Sequence, residues 1–366
     1  MLSLSKHGDQ ASHICRHFGT CGGCSLQDLT PDDYRAGKRA MVQTALIKAG
    51  VMAEVATVFI VPPYSRRRAV FKWHNGRIGF HAAKSHDIVD MRECLVLTPA
   101  LFGLVQQLRE RLAFLKEPAE IHITESLTGF DLAFGSPQKL TPALMAQMAG
   151  AVTGLNIARI VFNKDLLLEA AAPEVEEGGV WVKLPPQAFL QPTRQGEAAL
   201  QARVVRIVGR AKTVADLFAG CGTFALPLAK KARVHAVEQD ASVLAALAAA
   251  AKAFVPVGGG AQGLKPVTTE IRDLFKLPLS PGELTPFGAV VLDPPRAGAE
   301  AQARALAKSQ VPTIAYVSCD AASFARDAAV LVAGGYRIGA VAPIDQFLWS
   351  SHIELAAGFT RVRSRE

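Results

Sequence analysis

The chain has 366 residues, half of them hydrophobic, and a formal net charge of +8. It can fill two or three domain cores and is excluded from the intrinsically disordered class, and no uninterrupted apolar run reaches the roughly 18 residues of a membrane span. The cationic excess suits a polyanionic partner, for which nucleic acid is the natural candidate.

The opening segment Met1–His7 lacks the apolar core of a signal peptide, so a cytoplasmic protein is expected. A reducing compartment argues against disulfides among the six cysteines. Three of them, Cys15, Cys21 and Cys24, form a C-x5-C-x2-C array with Gly19, Gly22 and Gly23 between and beside them. Soft thiolates at this density are metal-ligand chemistry, and the glycines let the backbone fold tightly around a central object. Cys94 is the best candidate for a fourth ligand, because Cys221 and Cys319 belong to other motifs. Four thiolates suit a tetrahedral zinc or an iron–sulfur cluster. A triplet joined by one distant Cys, in place of two C-x2-C pairs, favours [4Fe–4S]. Four ligands would leave no open iron for radical chemistry.

Lys38–Gly50 reads as a helix with Ala40, Val42, Leu46 and Ile47 on its apolar face and Gly50 as the stop. The run Tyr64–His74 interleaves Arg66, Arg67, Arg68 and Lys72 with aromatics. Its cations are candidate phosphate contacts, and Phe71, Trp73 or Phe80 are candidate base-stacking rings. Gly79–His81 and Ile88–Asp90 read as strands of a small sheet. From Ala100 to Leu184 helices alternate with strands such as Glu120–Thr124 and Ile160–Phe162, without a chemical motif. The expected boundary falls at Pro185-Pro186, giving units 1–185 and 186–366.

Val214–Ala229 reads as strand, glycine turn and helix, and Val234–Glu238 as the next strand ending in an acid. This opens a doubly wound α/β sheet. Gly220 and Gly222 allow close ligand approach, and Glu238 is placed to grip ribose hydroxyls. A third glycine near Ala225–Leu226 is missing, which points away from a dinucleotide and towards S-adenosylmethionine. Asp273, after a further short strand, is a candidate adenine contact or a helix N-cap. Ala289–Leu292 is a buried strand delivering Asp293 to the rim in Asp-Pro-Pro-Arg296. Amino-methylating enzymes carry an aromatic where Arg296 stands, so amine methylation is not expected. Thr313–Ser318 is a strand that ends at Cys319, where open α/β sheets place their chemistry.

With these motifs the chain resembles the RNA uracil-C5 methyltransferases that make 5-methyluridine, in their iron–sulfur-containing branch. The resemblance covers nearly the whole sequence. It implies a Rossmann-like C-terminal methyltransferase domain behind an α+β domain that binds the cluster and RNA. It implies cluster ligands at Cys15, Cys21, Cys24 and Cys94, cofactor contacts at Gln191, Phe218, Thr223, Glu238, Asp273 and Asp293, a nucleophile at Cys319 and a general base at Glu354. In this mechanism the Cys319 thiolate adds at C6 of the uracil, C5 takes the methyl group, and Glu354 removes the C5 proton. His352, on the same strand face, is a competing base. The target base is expected to flip out of its stack. The sequence departs from the family in carrying Thr193 two residues after Gln191, and Thr223 in the glycine loop, where asparagine is usual. With Cys15 so near the start, the extra RNA-binding barrel of many relatives is not expected. Large-subunit ribosomal RNA is the leading substrate expectation and transfer RNA the runner-up. A monomer is expected. The competing readings are a methylase of an amine or a protein, and a cluster-bearing RNA-binding sensor without catalysis.

Overall fold

The computed structural model describes residues 14–254 and 263–362, so Met1–His7 lies outside it. Among the described residues two large sheets dominate, with a two-stranded hairpin beside them. The second-half sheet has nine strands. At its centre Thr213–Leu217 pairs in parallel with Arg233–Glu238 on one side and Ala289–Leu292 on the other. Val267–Ile271 and Thr313–Ser318 extend the parallel set outward. Glu354–Arg361 then runs antiparallel to Thr313–Ser318, and Ala342–Asp345 runs antiparallel to it in turn. The central strands are near-continuous apolar runs because helices cover both faces, and every residue of Ala289–Leu292 is fully buried.

Local chemistry sets where the covering helices begin. Asp240 caps Ala241–Ala253 and Asp320 caps Ala321–Ala333, each accepting two backbone N–H groups. Thr193 caps Arg194–Val208 by accepting from Gly196 N at 3.0 Å. The threonine two residues after Gln191 therefore has a hydrogen-bonding task. The cap side chains line up along the edge where the parallel strands end, and the site forms there.

The first-half sheet has seven strands, from Ile88–Asp90 at one edge to Asp165–Glu169 at the other. Helix Pro99–Arg111 packs on it through Leu101, Leu104, Val105 and Leu108. Phe71 and Trp73 are 0% and 1% exposed in this core, so they hold the sheet together and cannot stack on RNA bases.

The boundary expected at 185/186 is crossed by the chain. Helix Pro31–Lys48 and strand Phe59–Ile60 pack on the second-half sheet, the strand pairing in parallel with Ile344 and Asp345. The helix starts seven residues earlier than the apolar spacing predicts, because Thr30 caps it and Pro31 opens it. Gly50, at φ +71°, ends it as expected, whereas Ile47 is 63% exposed. The helix is anchored by a fully buried ion pair, Lys38 Nζ to Asp345 Oδ1 at 2.9 Å, with the Tyr34 hydroxyl also donating to Asp345. Removing one partner of such a pair costs about 3–5 kcal/mol, since the other is left charged and dry. Lys38 also donates to the His352 carbonyl, which ties this helix to the segment leading into Glu354.

Candidate active site

A cavity of about 430 Å³ opens at the edge of the second-half sheet. The glycine loop after Thr213–Leu217 forms its floor. Phe218 takes a left-handed backbone, φ +64°, so that its N–H and that of Ala219 both reach Val237 O. This costs a non-glycine residue roughly 1–2 kcal/mol and turns the Phe218 ring towards Phe275, 5.4 Å away between centroids, to make an aromatic wall. Gly222 is fixed as glycine, since at φ +99° a Cβ would stand 2.9 Å from Leu226. Glu238 accepts from Gly220 N at 3.2 Å and from Gln239 N at 2.7 Å, which holds its carboxylate at the cavity wall. Gln191, Gly220 and Thr223 line the same space. Asp273 does not. Its carboxylate meets Lys276 at 3.1 Å and caps Phe275 N at 3.0 Å, while its neighbours Arg272, Leu274 and Phe275 face the cavity.

Asp293, Cys319 and Glu354 line the opposite wall, brought together from three adjacent strands. Burial raises Asp293 to about 7. Burial and the Asp293 charge raise Glu354 to about 8, against the Gln346 side chain that hydrogen-bonds it. Burial, then Glu354, then Asp293 push the Cys319 thiol up to about 11. Three groups that can each become anionic thus share one poorly solvated wall. A cation in the cavity would favour ionisation of all three. His352 does not line this cavity. It lines the cysteine cavity, whereas Glu354 and Asp293 are the carboxyl groups that line the cavity with Cys319.

Gln346 was not signalled by any motif. Fully buried, it donates through Nε2 to Gln191 Oε1 at 2.6 Å and to Glu354 Oε2 at 3.1 Å, joining a cofactor candidate to the base candidate. Gly196 makes room for it, because a Cβ there would lie 2.5 Å from Gln346 Oε1. Phe189 and Phe347 also face the cavity.

Cys15, Cys21, Cys24 and Cys94 line a second cavity of about 500 Å³. Gly23 N donates to the Cys21 sulfur at 3.4 Å, and burial raises all four thiols, Cys24 to about 12. Among the described residues no group of three or more His, Cys, Asp or Glu is arranged to hold a metal ion. The structure thus brings the four expected ligands to one cavity. Phe347 lines this cavity too, and Ser25 N and Leu26 N donate to Trp349 O at 2.8 and 3.1 Å. The cysteine loop is thereby bonded to the segment between Gln346 and Glu354.

The basic run is more committed than expected. Arg67 is buried and paired with Glu197 at 2.7 Å, Lys72 is paired with Glu120, and Arg68 lies 5.1 Å over the Phe189 ring. Arg66 and Phe80 line the cysteine cavity. The Arg67 and Lys72 charges thus serve the fold before any phosphate.

The model of the tRNA (uracil-5-)-methyltransferase family matches residues 138–362. The chain belongs to this family. An uncharacterised RNA methyltransferase of Brucella suis is 43% identical over 370 residues, covering 99% of this chain and 88% of the relative. The 23S rRNA (uracil(1939)-C(5))-methyltransferase of Halomonas elongata is 33% identical over 380 residues, covering 96% of this chain and 77% of the relative. In fold, the Pyrococcus abyssi tRNA (uracil-54, C5)-methyltransferase, solved with S-adenosyl-L-homocysteine, aligns at a TM-score of 0.72 with 21% identity, over 92% of this chain and 86% of the other.

The methyltransferase is therefore an S-adenosylmethionine-dependent enzyme acting on uracil C5 in RNA, with the Rossmann-like α/β fold of that structure. The first cavity fits the cofactor in size and in its aromatic wall, with Glu238 among its lining residues. Among the described residues no helix of the methyltransferase is long and apolar enough to cross a membrane.

Proposed function

We propose that this methyltransferase modifies C5 of a specific uridine in large-subunit ribosomal RNA through a transient bond between Cys319 and C6 of the ring. The observation that carries the reading is the meeting of Cys319, Asp293 and Glu354 on one wall of the cavity lined by Gln191, Phe218, Gly220, Thr223 and Glu238. When bound there, S-adenosylmethionine supplies a methyl group on a cationic sulfur. Glu238 would hold its ribose, and the Phe218–Phe275 wall would take its base. Asp273 supports that wall from behind through Phe275 N. Cys319, its proton lost to solvent as the cationic cofactor favours ionisation, bonds C6 as the thiolate, and the C5–C6 electron pair moves onto the ring carbonyl as an enolate. C5 would then take the methyl group as its bond to the cofactor sulfur breaks, the electron pair staying on that sulfur to leave S-adenosylhomocysteine. Glu354 accepts the C5 proton, the double bond re-forms and sulfur leaves as thiolate. Asp293 adds negative charge on the cationic side, and Gln346 holds Gln191 and Glu354 in register.

The Halomonas relative's name supports ribosomal RNA, and the family description keeps transfer RNA in the comparison. Purified enzyme is expected to form 5-methyluridine in large-subunit transcripts, measured by nucleoside mass spectrometry. Product confined to transfer RNA would overturn the substrate assignment, and methylated amines would overturn the chemistry.

The same reading gives a [4Fe–4S] cluster to Cys15, Cys21, Cys24 and Cys94, in a first unit that binds RNA beside the methyltransferase unit of a monomeric, cytoplasmic enzyme. Anaerobically purified protein is expected to contain iron and inorganic sulfide, and Cys24→Ser to lose both. Zinc in their place would defeat this assignment.

A further inference from the structure

The hairpin Glu174–Glu177/Val180–Lys183 lies outside both cavities' chemistry as described so far. Its two-residue turn, Gly178-Gly179, has φ +58° and +88°, as a tight hairpin requires. The turn presses on the helix after the glycine loop, where a Cβ on Gly178 would stand 2.7 Å from Pro227. This docking buries Glu177, 1% exposed, against the back of the glycine loop. Its Oε2 accepts from Gln201 Nε2 at 2.9 Å, while its Oε1 is buried with no hydrogen-bond partner. The Thr223 hydroxyl and Cys221 are its neighbours on the loop side. Arg67, the nearby cation, is committed to Glu197 and to Gln191 O. A buried carboxyl oxygen without a partner costs roughly 1–3 kcal/mol, so its retention here calls for a reason.

We propose that Glu177 is a positioning residue for the amino-acid end of S-adenosylmethionine, acting through Thr223. The inference rests on the cofactor occupying the 430 Å³ cavity. With ribose on Glu238 and the methyl group facing Cys319, the amino-acid end falls to the glycine loop beside Thr223. Oε1 makes no hydrogen bond in the ligand-free enzyme; as a carboxylate it would accept from the Thr223 hydroxyl beside it. That fixes the hydroxyl proton away from the cavity and leaves its lone pairs facing inward, as an acceptor for the cofactor's α-ammonium. Burial, and then the Glu197 charge, hold Glu177 well above the usual carboxylate range, and a bound α-ammonium would draw it towards the ionised form. In Glu177→Gln the amide oxygen keeps the Gln201 bond, so the amide N–H faces Thr223 and reverses its hydroxyl.

Calorimetry with two ligands tests this: S-adenosylhomocysteine, which has the α-ammonium, and 5′-methylthioadenosine, which lacks the amino-acid end. Glu177→Gln is expected to weaken the first about tenfold and the second by less than about twofold. In a Thr223→Ala background the same change should have almost no further effect on either. Gln201→Leu removes the donor that favours the ionised form of Glu177 and leaves the glycine loop untouched, so it should reproduce the selective loss and serves if Glu177→Gln does not fold. Equal weakening of both ligands would show a merely structural role and overturn the proposal, as would unchanged S-adenosylhomocysteine binding in Glu177→Gln. Wild-type enzyme that binds neither ligand would overturn the cofactor assignment, and the role of Glu177 with it.

Discussion

Cys319→Ala is expected to lower methyl transfer on the order of 10⁵-fold, the scale on which losing a nucleophile disables a catalytic unit. Uracil C5 does not attack a methyl donor unaided, and among the cavity-lining residues Cys319 is the sulfur next to both buried carboxylates. The variant should keep its fold. Cys319 is half-exposed between the buried Ser318 and the helix cap Asp320, and removing its sulfur opens no core cavity. Binding of S-adenosylhomocysteine should stay within about twofold, because Phe218 and Glu238 are untouched. The decisive measurement uses RNA carrying 5-fluorouridine, whose C5 fluorine cannot leave as a proton. Wild-type enzyme should stall as a covalent protein–RNA adduct that survives denaturing electrophoresis, and Cys319→Ala should give none. An adduct that persists without Cys319 would remove it from the role of nucleophile.

Much of this site is legible in the sequence because its residues sit where strands end. Glu238, Asp293 and Cys319 each follow an apolar, β-branched run, and a parallel sheet brings such ends to one edge. Glu354 is less legible. It begins an antiparallel strand and reaches the wall through its pairing beside Ser318, a long-range contact that no local pattern encodes. Gln346 and Glu177 carry no motif at all. They matter because folding buries them between segments far apart in the chain, and burial is what turns an ordinary amide or carboxyl into a constraint on its neighbours. The basic run misleads for the same reason. An arginine that reads as a phosphate contact is drawn inward when a buried acid such as Glu197 waits for it, and aromatics alternating with charges along a strand are the inward face of a sheet. The helix Pro31–Lys48 shows a further limit. Its apolar spacing reveals a helix, and its docking on the distant half of the chain depends on Lys38 finding Asp345.

Glu354→Gln is expected to separate the two halves of the reaction. Gln keeps the shape and can still bond Gln346, so sulfur addition and methyl transfer should proceed once. Release should slow by about 10²–10⁴-fold, because no base removes the C5 proton, and the methylated adduct should accumulate on ordinary RNA. Rapid multiple turnover by the variant would contradict the assignment. The pH dependence follows from the same residue. Burial raises Glu354 to about 8 in the ligand-free enzyme and it acts only after methyl transfer, so kcat of the wild type should rise as pH climbs through the raised value of this group, and the variant should lose this limb. Stability should move in the opposite sense. A carboxyl raised in the folded state is neutral there while its unfolded counterpart ionises near the ordinary value of about 4.3. Its contribution to stability is whole below that value, declines as pH rises, and is lost once pH passes the folded-state value of about 8. Denaturant titrations at about pH 5 and about pH 9 should therefore show a larger loss of stability for wild type than for Glu354→Gln. A parallel decline in both proteins would mean that Glu354 is already ionised in the folded enzyme, and a carboxylate so relaxed in its pocket would have little drive to take a proton from carbon.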